Sequence, residues 1–142
     1  MVTVQDIFDA AMDLMDEQDE KNGSTSTTDT REYALRTISI LNTAIPNLYP
    51  YSDRSRQGKA GRPIPVQLLA LDRSNPDFSQ LIFLDDALCW GLLPFWLASL
   101  LRSGEDEEFA NRMMTEYNKA FAGIRTLAPA EFEPIPTPYG LF

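Results

Sequence analysis

The sequence contains no histidine and a single cysteine, Cys89. Without histidine the chain lacks the commonest general base, the usual activator of a nucleophile and the commonest metal ligand. With one cysteine no intramolecular disulfide can form, so nothing points to an oxidising, secreted setting. Cys89 lies inside an apolar run, where a thiol is expected to act as a small core side chain. Phosphate loops are also missing, since neither GxGxxG nor GxxxxGK[ST] occurs. No basic stretch leading into an apolar one opens the chain, so no signal peptide is expected. The longest apolar run falls short of the roughly 20 residues that cross a bilayer.

Clustered acids offer little chemistry either. Asp16-Glu17-Gln18-Asp19-Glu20 and Glu105-Asp106-Glu107-Glu108 lack the alternating ligands and sharp-turn glycine of a calcium loop, and read as solvated helix ends. Asp85 and Asp86 are adjacent, so on a helix they point apart, and they suit its N-terminus. The expectation is a protein that is not an enzyme and holds no cofactor and no metal. Positive charge is scarce, with 12 basic against 21 acidic side chains and a net charge of −9. Seven acids precede the first lysine. That balance disfavours sticking to phosphate backbones and suits a soluble protein, or one whose surface must repel a polyanion.

What is present is apolar periodicity. At 142 residues and 44% hydrophobic, the chain is long enough to bury one core. Val4, Ile7, Phe8, Ala11, Leu14 and Met15 recur at helical spacing, predicting a first helix from Thr3 to about Glu17 with Thr3 and Asp6 as its cap. Ala34, Ile38, Leu41, Ile45 and Leu48 predict a second from near Asp29, which Pro46 should end near Ala44 or kink. Twelve of the sixteen residues from Asp86 to Leu101 are apolar. A helix that is apolar all round is buried or covered by a partner. Pro94 should bend it and leave the Trp90 carbonyl in need of a donor, and Gly104 should stop it. Phe109, Met113, Tyr117, Phe121 and Ile124 predict a fourth helix, Glu105 to Ile124, forming a hairpin with the third.

The expected architecture is therefore all-α, a small bundle of about four helices. Residues 1–128 form the helical domain, with flexible loops at 18–28 and 51–79. Within the second loop, Val66 to Leu71 and Gln80 to Phe83 are candidate strands of a short β-hairpin about a turn at Ser74 to Asp77. The tail 129–142, with four prolines from Pro129 onward, is expected to be extended. Three groups of residues are candidates for contact. Ala87, Trp90, Gly91, Pro94, Trp96 and Ala98 make a candidate subunit interface, in which a row of small residues lets a second backbone approach. Phe132, Ile135, Tyr139 and Phe142 make a candidate partner-docking tail. Arg54, Arg56, Lys59 and Arg62 make a candidate basic loop.

The order DIFDAAMDLMDE, ALRTISILNTAIPNLYPYSD, LDDALCWGLLPFWLASLL, EFANRMMTEYNKAF and PAEFEPIPTPYG resembles a family of small phage or prophage head-tail connector (neck adaptor) proteins of Gram-positive bacteria. These segments cover most of the chain outside Arg54 to Asp77; Pro46, Trp90 and Trp96 depart from the family's pattern. The resemblance implies a virion assembly protein that forms a homo-oligomeric ring below the portal. It implies as partners the portal protein and an adjacent neck or tail protein, with DNA passing through without sequence-specific binding and no membrane. It places the protein in the virion neck after assembly in the bacterial cytoplasm. A small helical protein-binding module or assembly chaperone, forming no ring, accounts for the same residues. A carboxylate-dependent, metal-assisted hydrolase is the weakest reading because histidine is missing.

Overall fold

The structure is a computed structural model that describes residues 1–15, 30–52 and 65–132, and of 125–132 the backbone alone. Four α-helices, α1 (Val4–Met15), α2 (Arg31–Leu48), α3 (Asp86–Arg102) and α4 (Glu107–Phe132), with a 3-10 turn at Tyr49–Tyr51, make up an all-α bundle. The expected loop 18–28, the basic loop and the tail beyond Phe132 lie outside the described residues.

The ends of α1 and α4 follow from their own sequences. At α1 the Thr3 amide donates to Asp6 Oδ2 (3.1 Å) and the Asp6 amide donates to Thr3 Oγ1 (3.2 Å). This reciprocal cap satisfies two donors that a helix start leaves unpaired. At α4, Asp106 accepts from the Phe109 amide at 3.0 Å. The stripe of α4 turns inward as its spacing requires, with Phe109 and Tyr117 buried and Met113, Phe121 and Ile124 packed against the core.

Two boundaries differ from expectation, and that of α2, left open between a stop and a kink, is decided. α2 continues through Pro46 to Leu48, with Pro46 on the exposed side and Ala44, Ile45 and Leu48 buried. An internal proline costs about 3 kcal/mol, whereas complete burial of Ile45 and Leu48 contributes about 1.5–3 kcal/mol each. α4 runs past Ile124 and through Pro129 to Phe132, so the start of the expected extended tail is helical. Proline keeps a helical φ, and its lost donor and ring clash weaken a helix without forbidding a further turn. α3 ends at Arg102, and Gly104 has no left-handed backbone. The turn is closed instead by the Glu105 and Asp106 amides donating to the Arg102 carbonyl at 3.0 and 2.9 Å.

α3 is the central helix, packed on α1, α2 and α4. Leu88, Cys89, Leu92, Leu93, Leu97, Ala98 and Leu101 are all buried, which accounts for its apolar character. Much of the cover anticipated from a partner is thus supplied by the chain itself.

The candidate hairpin does not form. Among the described residues there is one antiparallel bridge, Thr3 to Leu81, and no strand. The arm from Phe78 to Ile82 pairs with the chain start: the Val4, Gln5 and Ile82 amides donate to the carbonyls of Gln80, Phe78 and Val2. In place of the expected turn at Ser74 to Asp77 the chain bends at Arg73 to Asn75, with Asp72 Oδ1 accepting from the Ser74 and Asn75 amides. Leu69 and Ala70 are met by side-chain amides, those of Asn42 and Gln80, in place of a backbone ladder.

Candidate functional site

The start of α3 is open. Asp86, Ala87, Trp90 and Gly91 are exposed, and their spacing places them on one side of the first two turns. Trp90 keeps 50% of its surface accessible, and a Cβ added at Gly91 would meet nothing within 4 Å. The second half of the small-residue row is different. Pro94 and Ala98 are buried in the chain's own core, because α3 is enclosed there by its neighbours.

The two tryptophans part company. Trp96 is half-buried, and its indole N–H donates to the Ile40 carbonyl (3.3 Å) and to Thr43 Oγ1 (3.1 Å). Its ring lies 4.9 Å from that of Tyr117. Trp96 therefore ties α3 to α2 and α4, while Trp90 faces outward. Of the candidate interface, Ala87, Trp90 and Gly91 form a surface and Pro94, Trp96 and Ala98 form packing.

A second exposed apolar surface was not anticipated. Val66, Leu68 and Leu71 project from the segment after the undescribed residues 53–64, and Leu81 is 53% exposed. Only Leu69 of this segment is buried. Asn42 Nδ2 donates to the Leu69 carbonyl (3.0 Å), and its Oδ1 accepts from the Leu69 amide (2.9 Å). Gln80 does the same for Ala70, at 3.0 and 2.7 Å. No local sequence pattern announces this arrangement, since the contact between Asn42 and Leu69 is long-range.

The other end of the bundle carries a stack of cations and rings. The Arg36 and Arg102 guanidiniums each lie 5.9 Å from the Tyr33 ring, and Arg102 and Arg112 lie 5.7 and 5.6 Å from the Phe109 ring. The order Arg36, Tyr33, Arg102, Phe109, Arg112 links α2, α3 and α4. Arg102 also donates to the Met15 carbonyl (3.1 Å) and Arg36 to the Leu101 carbonyl (3.2 Å). Two helix C-termini that need positive charge thereby receive it from other elements. Burial, with a hydrogen bond to Glu105, holds the Tyr33 hydroxyl above its ordinary pKa. The group is a donor that stays protonated, which fits a structural role.

Elsewhere the chemistry is sparse. Asp72 and Asp77 are exposed carboxylates held below the usual range, each first by a hydrogen bond from a serine hydroxyl, Ser74 and Ser79 respectively. A groove of about 250 Å³ between α1, the start of α2 and the Asn75 loop is lined by Gln5, Phe8, Thr30, Arg31 and Phe78 and brings no acid and base together. Among the described residues no group of carboxylates or cysteine has the spacing of a metal site, and no helix is long and apolar enough to cross a membrane. Arg54, Arg56, Lys59, Arg62, Ile135, Tyr139 and Phe142 lie outside the described residues; Phe132 is the last residue of α4, described by its backbone. The chain matches no protein-family model, no curated protein and no solved structure in the comparisons made.

Proposed function

We propose that this chain is a structural assembly subunit, a phage or prophage head-tail connector that forms a ring below the portal. The observation that carries the reading is the open start of α3. A bundle that buries nine of the seventeen residues of its central helix leaves Trp90 half exposed beside Ala87 and Gly91. An aromatic anchor bordered by small residues is a contact surface for another protein. The segment order that resembles head-tail connectors supports the neck as the setting, with the portal and an adjacent neck or tail protein as partners. A net charge of −9 supports passage of DNA without adhesion. In this reading the protein assembles in the bacterial cytoplasm and resides in the virion neck.

Light scattering across concentrations, alone and with co-expressed portal protein, tests the proposal. A ring-sized species, or co-purification with portal, is the expected outcome. A chain that stays monomeric and ignores portal would overturn it. A monomer or dimer that instead captures one soluble partner would favour the helical binding module or assembly chaperone.

A further inference from the structure

The amides of Asn42 and Gln80 reveal the backbone geometry beside α2. Each bonds both the N–H and the C=O of one residue, Leu69 and Ala70 in turn. Those two groups of a residue point the same way in extended backbone, and the direction alternates from residue to residue. Asn42 therefore occupies one edge of the segment and Gln80 the other. On the Gln80 edge, Val66 and Leu68 precede Ala70 at strand spacing. Their backbone groups take no partner among the described residues, and Leu68 is 56% exposed. An open edge of this kind is a template for an added strand.

The sequence contains a segment whose proline spacing suits it. In residues 133–139, EPIPTPY, prolines stand at 134, 136 and 138. Each favours extended backbone at the residue before it, Glu133, Ile135 and Thr137. In a strand all three missing donors then fall on one edge, while Ile135, Thr137 and Tyr139 keep theirs on the other. Such a strand pairs on one side and blocks further addition on the other. Antiparallel pairing sets Ile135 and Tyr139 on the same face as Val66 and Leu68, whereas parallel pairing would set prolines there.

The geometry of α4 favours a neighbour over the chain itself. α4 spans 26 residues and α3 spans 17, about 39 and 26 Å at 1.5 Å per residue. They run antiparallel, with Ser99 bonded to the Ala110 carbonyl and Trp96 against Tyr117, so the last turns of α4 overrun the start of α3. The Asn42 clasp lies level with Trp96, near the middle of α3. To reach it, the chain after Phe132 would have to reverse within a residue or two, at a proline. We propose that residues 133–139 of a second copy add as an antiparallel strand along the Val66/Leu68 edge. This inference rests on the assembly reading above and names the contact that joins subunits.

Disulfide trapping in full-length chains tests it. Two tagged forms of different mass carry Cys89→Ala, one with Leu68→Cys and the other with Thr137→Cys. Mild oxidation is expected to link the two masses with a yield roughly tenfold above that of Gln67→Cys with Thr137→Cys, whose side chains lie on opposite faces. Adding Leu68→Pro to a Val66→Cys version removes the receiving N–H and should abolish the link, while Gln67→Pro, on the other edge, should spare it. Links confined to one mass, or equal yield from position 67, would overturn the proposal. Light scattering on the same samples, alone and with co-expressed portal protein, separates the two ideas: oligomers or portal complexes without the link leave the assembly reading standing and remove this contact, and monomers that ignore portal and form no link remove both.

Discussion

The Asn42 carboxamide grips the backbone of Leu69 at both its amide and its carbonyl, at 2.9 and 3.0 Å, across 27 residues of chain. One side chain thereby plays the part of a neighbouring strand. It holds the Leu69 side chain in the core and leaves Leu68 outside.

Asn42→Leu should therefore destabilise the fold by about 1–3 kcal/mol, because both partner groups of Leu69 lose their hydrogen bonds. Urea unfolding measures the loss. Asn42→Asp keeps the acceptor and removes the donor, so it should fall between the native chain and Asn42→Leu.

Arg102 lies between the Tyr33 and Phe109 rings and donates to the last carbonyl of α1. Arg102→Ala is expected to cost about 2–4 kcal/mol from the two ring contacts and the charged hydrogen bond. Arg102→Lys should recover little of it, since an ammonium cannot stack as a plane. Thermal and urea unfolding of the three proteins decide the order.

Tyr33 gives a pH signature. Burial and the Glu105 hydrogen bond raise its folded pKa above the ordinary value of 10.0. A raised folded pKa favours the protonated form in the native state, so its contribution is fully present below pH 10.0 and is lost as pH rises through the folded pKa. Stability should decline above about pH 10. Tyr33→Phe should be less stable at neutral pH and show a shallower alkaline decline in urea titrations between neutral and alkaline buffers. An unchanged slope would remove Tyr33 as its source. Tyr117, raised by burial alone, contributes in the same direction and is a second position for the measurement.

The two tryptophans should respond in opposite ways. Trp90→Ser is expected to leave unfolding free energy within about 0.5 kcal/mol, as for exposed positions away from the core. It should reduce self-association or portal capture in light scattering and pull-down. Trp96→Phe removes the indole donor shared by Ile40 and Thr43 and should cost about 1–2 kcal/mol without acting directly on the open face. The reverse pattern would move the contact surface away from the start of α3.

Local rules carried far where the forces are local. The Thr3 and Asp6 cap, the α4 stripe from Phe109 to Ile124 and the apolar length of α3 are all legible from spacing, because a helix closes its hydrogen bonds within itself. The same rules leave the end of α2 open between a stop and a kink at Pro46, and only the packed Ile45 and Leu48 decide that the helix goes on. They also mark Trp90 and Trp96 alike, because burial depends on neighbours that are distant in sequence.

By itself, then, the sequence determined that the chain is all-α and acidic, where its amphipathic faces run, and which common catalytic groups it lacks. Tertiary structure alone decided that α3 is enclosed by three helices except at its first turns, leaving Trp90 outside and Pro94 and Ala98 within. It also decided that Leu69 is held by Asn42 in place of a hairpin partner. The reason is range: periodicity records which side of a helix is apolar, but not which other element lies against each turn of it.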